Sequence, residues 1–595
     1  MSIDRYDQTA GNIFPTLLAA FGADAADLLS RQLEIVSIAG GQILFSEGDE
    51  ADALYIVASG SVGISTEDEG GQTRRIARVG PPETIGELAF LADARRSATA
   101  TALRDCVLLR ISRTAFDEVV TQFPEATLRI ARLLARRGQQ ANTVHRKAGT
   151  ASSTIAVLPV TAGVSAPALA RDLAHLLEGR SLVLESWPEG CDEAQLHRFE
   201  AAHRHVVYTS DDIDDPWGRL CHRRADHVVL LAAVAQPLRS VDSVARVLGS
   251  SPWQRQDLVV VQDAGAAMPA PVSDALDRAL GANNLRVQIR RGDRRDLARL
   301  ARVVTGRTLG IVLSGGGARG FAHLGALRAL DEAGIRADLI GGTSIGAIIG
   351  AAFAMGWGLD EMSERIVEAF VTAPPLNDYT LPLVAITRGL KVDRALARHF
   401  GDARIEDLWH PFFCVSTNLS TGAALVHRRG PLARALRASV AIPGLLPPVL
   451  APEGVLVDGA MINNLPVDVI AGIDRGRILA VDVASDVAML GTPRRSWRNR
   501  ILRRWLDVPH AMPGVTEILL RAATVSSDLQ ANLARAQASL VIRPPLADVD
   551  LRAWRSYERI ARIGYEHTSR MIEAGLLTAL APASPRAAAV GPLRD

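Results

Sequence analysis

Alternation of apolar and polar positions comes first along the chain. From about Arg31 to Ile111 the apolar runs are short and break at turn signals, Gly40-Gly41, Gly48-Asp49, Gly60 and Gly70-Gly71. A period of two with frequent glycine turns predicts a small all-β barrel or jelly roll. The period then lengthens. Between Phe116 and Gln140 the residues Val119, Val120, Phe123, Leu128, Ile130, Leu133 and Leu134 recur at helical spacing among arginines. That pattern predicts one or two amphipathic helices closing the barrel.

From Thr154 onward, buried-strand runs (Ile155 to Val160, Ser181 to Leu184, His227 to Ala232, Leu258 to Val261) alternate with helical segments such as Ala168 to Leu177. This is the pattern of an α/β domain. A second α/β region starts near Thr308 and runs to about Leu577, and the Ala/Pro-rich remainder has little to bury. The length, 595 residues, also exceeds what one core usually organises. The expected organisation is a β jelly roll with flanking helices over 1–147, an α/β spacer or regulatory domain over 148–305, a C-terminal α/β domain over 306–577 and a disordered tail over 578–595.

Composition mainly excludes. The 66 basic and 65 acidic side chains nearly cancel, so no global field draws nucleic acid or an anionic membrane, and any charged partner must be held by a local patch. Cys106, Cys191, Cys221 and Cys414 are scattered, without the close pairs of a zinc site or redox motif, which suits reduced thiols in a cytoplasmic protein. The N-terminal segment lacks the positive start of an export signal, and Pro15 interrupts its apolar stretch. Leu339 to Leu359 is uncharged and long enough to suggest a membrane span, but its glycines and its Thr343-Ser344 pair favour a tight turn followed by a buried core helix.

Candidate chemistry lies at the strand-to-helix turns. After its first strand the middle region reads TAGVSA (161–166), which supplies neither a Gly-Lys-Ser/Thr nor a G-x-G-x-x-G phosphate loop. In the C-terminal region LGIVLSGGGARG (309–320) is a buried strand followed by Gly315, Gly316 and Gly317, then Arg319 and a helix. Glycines there let backbone N–H groups converge on an anion, either a tetrahedral oxyanion or a phosphate. The next strand-turn-helix, LIGGTSIG (339–346), contains Gly-x-Ser-x-Gly. In a nucleophile elbow small neighbours let a strained turn lift the serine oxygen above the sheet edge, and Ser344 occupies that position.

A serine hydroxyl needs a base. Spacing leaves two kinds of partner open: a late histidine, His510 or His567, completing a triad, or the carboxylate of Asp458 in VLVDGA (455–460), which follows an apolar strand. The GGGARG loop, the GTSIG elbow and the DGA triplet, in this order, resemble the patatin-like phospholipases. The resemblance is closer to neuropathy target esterase and its bacterial relatives through RIEDLWHPFFCVSTNLS (404–420), RASVAIPGLLPP (437–448) and VDGAMINNLPVD (457–468). It implies a three-layer α/β/α hydrolase with Ser344 as nucleophile and Asp458 as base. It further implies that Gly315, Gly316, Gly317 and Arg319 frame the oxyanion site, and that the substrate is an ester bond of a phospholipid or lysophospholipid. This chemistry needs no metal or catalytic cofactor. His323, Asn463 and Asn464 are read as holding backbone rather than touching substrate.

Within the β region, IGELAFLADARRSATA (85–100) supplies a carboxylate, an arginine and a hydroxyl around a tight loop, the groups that a cyclic nucleotide's ribose and phosphate call for. It resembles the phosphate cassette of cyclic-nucleotide-binding domains, which implies that Gly86, Glu87, Arg96 and Ser97 bind cyclic AMP or cyclic GMP, with Glu87 on the ribose and Arg96 on the phosphate. The DNA-reading helix-turn-helix of a transcription factor is not evident after Gly149, so no nucleic-acid partner is expected. Arg494 to Leu506 (RRSWRNRILRRWL) would place Trp497, Ile501, Leu502 and Trp505 on one helix side, bordered by arginines, a candidate peripheral contact with the inner membrane face. The expectation is therefore a serine esterase under possible cyclic-nucleotide control; the competing class is an inactive nucleotide sensor or scaffold acting through protein contacts.

Overall fold

Strands β1 (Glu34–Ile38), β2 (Ile43–Phe45), β3 (Ala53–Ser59), β4 (Val62–Glu67), β5 (Thr73–Val79), β6 (Thr84–Ile85), β7 (Thr99–Ala102) and β8 (Cys106–Ser112) form two four-stranded antiparallel sheets, ordered β1-β8-β3-β6 and β2-β7-β4-β5. This is the expected jelly roll. The structure is a computed structural model. It describes residues 28, 31–67, 73–81, 83–123, 153–191, 193–249, 254–272, 274–279, 285–381, 383–473, 476–484, 530–577 and 580. The period of two explains why β3 is buried on both faces. Ala53, Tyr55 and Val57 fill the barrel with Val62, Ala100 and Leu108, whereas Leu54 and Ile56 point the other way, onto Phe90 of helix Glu87–Leu91 and onto Phe116 and Val119 of helix Arg113–Gln122. The further helix anticipated through Leu128 to Gln140 and the tail beyond Leu580 lie outside the described residues.

The middle sheet is parallel throughout. It comprises β9 (Ser153–Pro159), β10 (Ser181–Leu184), β11 (His205–Thr209), β12 (His227–Ala233), β13 (Arg255–Gln262) and β14 (Leu285–Arg290), in the order β10-β11-β9-β12-β13-β14. Its strands read as continuous apolar runs because both faces are covered: Ala156 and Leu158 of β9 join one core, Ile155 and Val157 the other. The barrel meets this domain at a buried ionic seam. Arg104 reaches Asp226 at 3.0 Å and Glu200 at 3.3 Å. Ser61 donates to Asp226 at 3.0 Å, and Tyr208 donates to Glu200 at 2.5 Å. Burial alone would raise the Asp226 carboxyl, but Arg104 and Arg78 outweigh it and hold it below its ordinary value.

The third sheet contains β15 (Thr308–Leu313), β16 (Leu339–Thr343), β17 (Phe412–Asn418), β18 (Ala423–His427), β19 (Val449–Ala451), β20 (Gly454–Asp458), β21 (Gly476–Val481) and β22 (Leu540–Ile542). The order is β19-β20-β17-β16-β15-β21-β22, with β18 also on β17. Five strands are parallel, and β18 and β20 run antiparallel to β17. Helix Phe321–Glu332 and helix Tyr557–Glu573 touch backbone to backbone: a Cβ on Gly325 would stand 1.9 Å from the Ala561 carbonyl oxygen, so only glycine fits. The apolar run after the elbow is helix Ile345–Ala354, whose residues are buried except the half-buried Phe353. Among the described residues no helix is long and apolar enough to cross a membrane.

Candidate active site

β16 ends at Thr343 and the chain turns at once into helix Ile345–Ala354. Ser344 makes that turn with φ 55° and ψ −124°, a region that side-chain-bearing residues rarely enter. Such a conformation costs about 1–3 kcal/mol and persists only where its surroundings impose it. They do so here by close approach: a Cβ on Gly342 or Gly346 would lie 2.5 Å or 2.3 Å from the Leu313 carbonyl oxygen. The Ser344 N–H donates to Ser439 Oγ at 3.0 Å, and the Ser439 hydroxyl donates to the Val415 carbonyl at 2.7 Å.

Strand pairing brings Asp458 to this turn. β16 occupies one edge of β17 as far as Val415, while β18 occupies the other edge. From Ser416 the first edge passes to β20, which pairs Ser416 with Asp458. The end of β20 therefore meets the end of β16. Ser344 Oγ donates to Asp458 Oδ2 at 2.7 Å, and Asp458 Oδ1 accepts the Ala460 N–H at 2.9 Å. Both residues are buried. Burial pushes the Asp458 carboxyl up to about 6, against the opposing pull of the Ala460 N–H and the Ser344 hydroxyl.

Of the histidines, His323 is fully buried, with Nε2 2.9 Å from the Ser314 carbonyl oxygen, and burial lowers its pKa to about 4. It is a packing residue. His567 sits on helix Tyr557–Glu573, and His510 lies outside the described residues.

The glycine loop divides. Gly315 N–H donates to Asn464 Oδ1 at 3.1 Å and approaches the Asn464 carbonyl at 3.3 Å. Arg319 Nε donates to the Val549 carbonyl at 2.8 Å. The Gly315 N–H and the Arg319 Nε are thus engaged in bracing the loop. Among the described residues the N–H groups of Gly316 and Gly317 have no hydrogen-bond partner. Gly317 has φ 55° and lines the same cavity as Ser344. Asn463 differs: its own carbonyl accepts from Thr343 Oγ1 at 2.8 Å, and its side chain donates to Asp468 Oδ1 at 2.8 Å, a side chain and not backbone.

The cavity beside Ser344 is almost wholly apolar, walled by Ile348, Trp357, Ile366, Phe370, Leu396 and Leu446 among others. Arg365 and His399 are its ionisable side chains; the Arg365 guanidinium lies 4.4 Å over the Trp357 ring and pairs with Glu361. Sequence reasoning missed Ser439 and these walls. A serine ending an amphipathic helix and aromatics scattered over two hundred residues carry no local signal.

In the barrel, Gly86 has φ 80° and starts helix Glu87–Leu91. Its lack of a side chain is required, since a Cβ would stand 2.2 Å from Arg96 Nη1. Arg96 is buried, donating to the Gly86 carbonyl at 3.0 Å and the Ala53 carbonyl at 2.6 Å, with its guanidinium 4.1 Å from the Phe45 ring centre. Among the described residues its Nε has no hydrogen-bond partner, and burial lowers its pKa. Glu87 is half-buried and Ser97 exposed. The basic-aromatic stretch Arg494 to Leu506 lies outside the described residues. Among the described residues no cluster of side chains could hold a metal ion.

A serine on a strained strand-to-helix turn, a buried aspartate against it and a glycine loop beside it, on a largely parallel sheet preceded by a jelly roll, define a patatin-like domain coupled to a cyclic-nucleotide-binding module. Family models agree: "Patatin-like phospholipase" matches residues 311–471 and "Cyclic nucleotide-binding domain" matches 35–123. The chain belongs to the NTE (neuropathy target esterase) family. It is 32% identical to an uncharacterized NTE family protein of Mycobacterium tuberculosis, over 92% of this chain and 93% of the relative. It is 29% identical to lysophospholipase nte1 of Aspergillus fumigatus and 28% identical to human patatin-like phospholipase domain-containing protein 6, over 91% and 90% of this chain. It spans 42% and 44% of those two, less than half their length.

Proposed function

We propose that the chain is a serine esterase that cleaves acyl esters of phospholipids or lysophospholipids through Ser344 and Asp458. The observation that carries this reading is the 2.7 Å bond from Ser344 Oγ to a buried carboxylate whose pKa is raised to about 6, beside an apolar cavity. Asp458 takes the hydroxyl proton as Ser344 Oγ attacks the ester carbonyl carbon. The resulting oxyanion accepts hydrogen bonds from the Gly316 and Gly317 N–H groups, donors of a kind that contribute about 10²–10³ in rate. Collapse breaks the ester C–O bond, and Asp458 returns its proton to the departing alcohol. Water then attacks the acyl-enzyme, losing a proton to Asp458, and the fatty acid leaves with Ser344 reprotonated. The cavity has the polarity of an acyl chain. The name of the Aspergillus relative supports a lysophospholipid as first substrate to try.

The barrel, in this reading, binds cyclic AMP or cyclic GMP as a regulatory ligand. Arg96 exchanges its bonds to the Gly86 and Ala53 carbonyls for the cyclic phosphate, Glu87 accepts from the ribose hydroxyl, and exposed Ser97 donates to the phosphate. The test is hydrolysis of a lysophospholipid by the wild type, Ser344→Ala and Asp458→Asn, each with and without either nucleotide. Loss of turnover in both variants is expected. Equal turnover in all three proteins overturns the dyad; no turnover by the wild type favours an inactive sensor acting through contacts.

A further inference from the structure

We propose that the hairpin spanning Asp378 to Arg388 inserts into the surface of an anionic phospholipid bilayer and seats the mouth of the Ser344 cavity on it. Tyr379 and Thr387 pair across the hairpin, Thr380 N–H donates to the Ile386 carbonyl at 2.9 Å, and Arg388 N–H closes its base on the Asp378 carbonyl at 2.9 Å. The base is stitched to the domain: Ile386 and Thr387 N–H donate to the carbonyls of Gly444 and Leu445 at 2.9 Å and 3.1 Å. Among the described residues nothing covers the apolar side chains of its two arms. Tyr379 is 69% exposed, Leu381 79%, Leu383 90% and Val384 68%. Four large apolar side chains crowded on one turn are costly in water and gain by entering the acyl boundary, with Tyr379 suited to the headgroup layer.

Two observations choose a lipid surface as occupant. The first is continuity with the cavity: Leu376, just before the hairpin, and Ile442 and Leu446, flanking the segment that anchors it, all line the cavity. The second is charge. Helix Leu390–Phe400, which follows directly, turns Val392, Leu396 and His399 into the cavity and keeps Lys391 and Arg394 exposed, with Arg388 exposed just before it. Of the neighbouring carboxylates, Asp393 is paired with Arg437 at 2.7 Å, and Asp378 Oδ2 accepts the Lys391 N–H at 3.2 Å. An apolar tip bordered by a basic rim matches the boundary of a negatively charged leaflet. An acyl chain leaving that leaflet would enter the cavity without crossing water. This assignment rests on the esterase reading of Ser344 for its purpose, though its test does not.

The test is co-sedimentation of the full chain, in the Ser344→Ala background, with phosphatidylcholine vesicles with and without phosphatidylglycerol. The variants are Leu381→Asp/Leu383→Asp and Arg388→Glu/Lys391→Glu/Arg394→Glu, with Leu381→Ser/Leu383→Ser as a milder form. Each should weaken binding to the mixed vesicles by about tenfold or more, the serine pair by less. With Ser344 restored, each should turn over a soluble short-chain ester within about twofold of wild type, and the unfolding midpoint should stay put because the changed side chains are exposed. Vesicle binding that survives all three variants overturns the proposal. So does a variant that loses self-association in sedimentation but keeps its lipid, which would assign the hairpin to a second copy. Hairpin-dependent binding by a wild type that hydrolyses no ester overturns the esterase reading alone.

Discussion

Ser439 holds Ser344 by its backbone: the Ser439 hydroxyl oxygen accepts the Ser344 N–H at 3.0 Å and sends its own proton to the Val415 carbonyl at 2.7 Å. One side chain thus ties the strained turn to the strand whose edge carries Asp458.

Removing that tie leaves a buried N–H unpaired. Ser439→Ala should cost about 1–3 kcal/mol in unfolding free energy. It should also lower kcat by tenfold or more, roughly the effect of a misplaced nucleophile, with KM little changed. Urea unfolding and ester kinetics on the same preparation check both.

Asp458 must be ionised to act as base, so kcat/KM should fall as the pH drops through about 6. Stability moves the opposite way. The folded pKa stands above the ordinary 3.8, so the native state holds the proton more tightly and its contribution, present at low pH, is lost as the pH rises through about 6. Asp458→Asn should therefore lose turnover while gaining stability on the order of 2–3 kcal/mol at pH 8, and match wild type near pH 4. Denaturant unfolding at the two pH values measures the gain.

A methyl group at Gly317 has nowhere to go, with the Leu551 carbonyl oxygen 2.5 Å from its Cβ position and φ at 55°. Gly317→Ala should turn the loop away from Ser344 and reduce turnover about 10²–10³-fold. Gly358→Ala, where a Cβ meets nothing within 4 Å, should leave turnover unchanged, and the pair of assays separates loop geometry from a general glycine effect.

Arg96→Lys keeps the charge but loses the planar fork that bonds two carbonyls today and a phosphate when ligand is present. Calorimetric titration with cyclic AMP and cyclic GMP should show affinity reduced about tenfold to a hundredfold, with soluble-ester turnover in the absence of nucleotide retained.

At the seam between the jelly roll and the middle domain, Arg104→Ala would leave Asp226 and Glu200 buried beside fewer cations. Breaking one partner of such a buried set costs roughly 3–5 kcal/mol. Chemical denaturation should show that loss in the transition that unfolds the N-terminal half.

Whatever depends on neighbours within about ten residues was legible in the sequence. The period of two over Arg31 to Ile111 specified a jelly roll because alternate side chains of a strand face opposite sides. Glycines around Ser344 marked the elbow because only a turn free of Cβ atoms passes so close to the Leu313 carbonyl. The cassette from Gly86 to Ser97 is equally local. The tertiary structure alone decided the rest. Asp458, 114 residues from Ser344, accepts the Ser344 hydroxyl hydrogen bond because β20 takes up the edge of β17 where β16 stops. No spacing encodes that exchange of edges. The same long-range contacts turn the Gly315 N–H toward Asn464, leave those of Gly316 and Gly317 without partners among the described residues, and place Ser439 under the elbow. Local sterics write a motif into the chain; which donor remains free, and which carboxylate lies opposite, is set by strand pairing between segments that the sequence holds far apart.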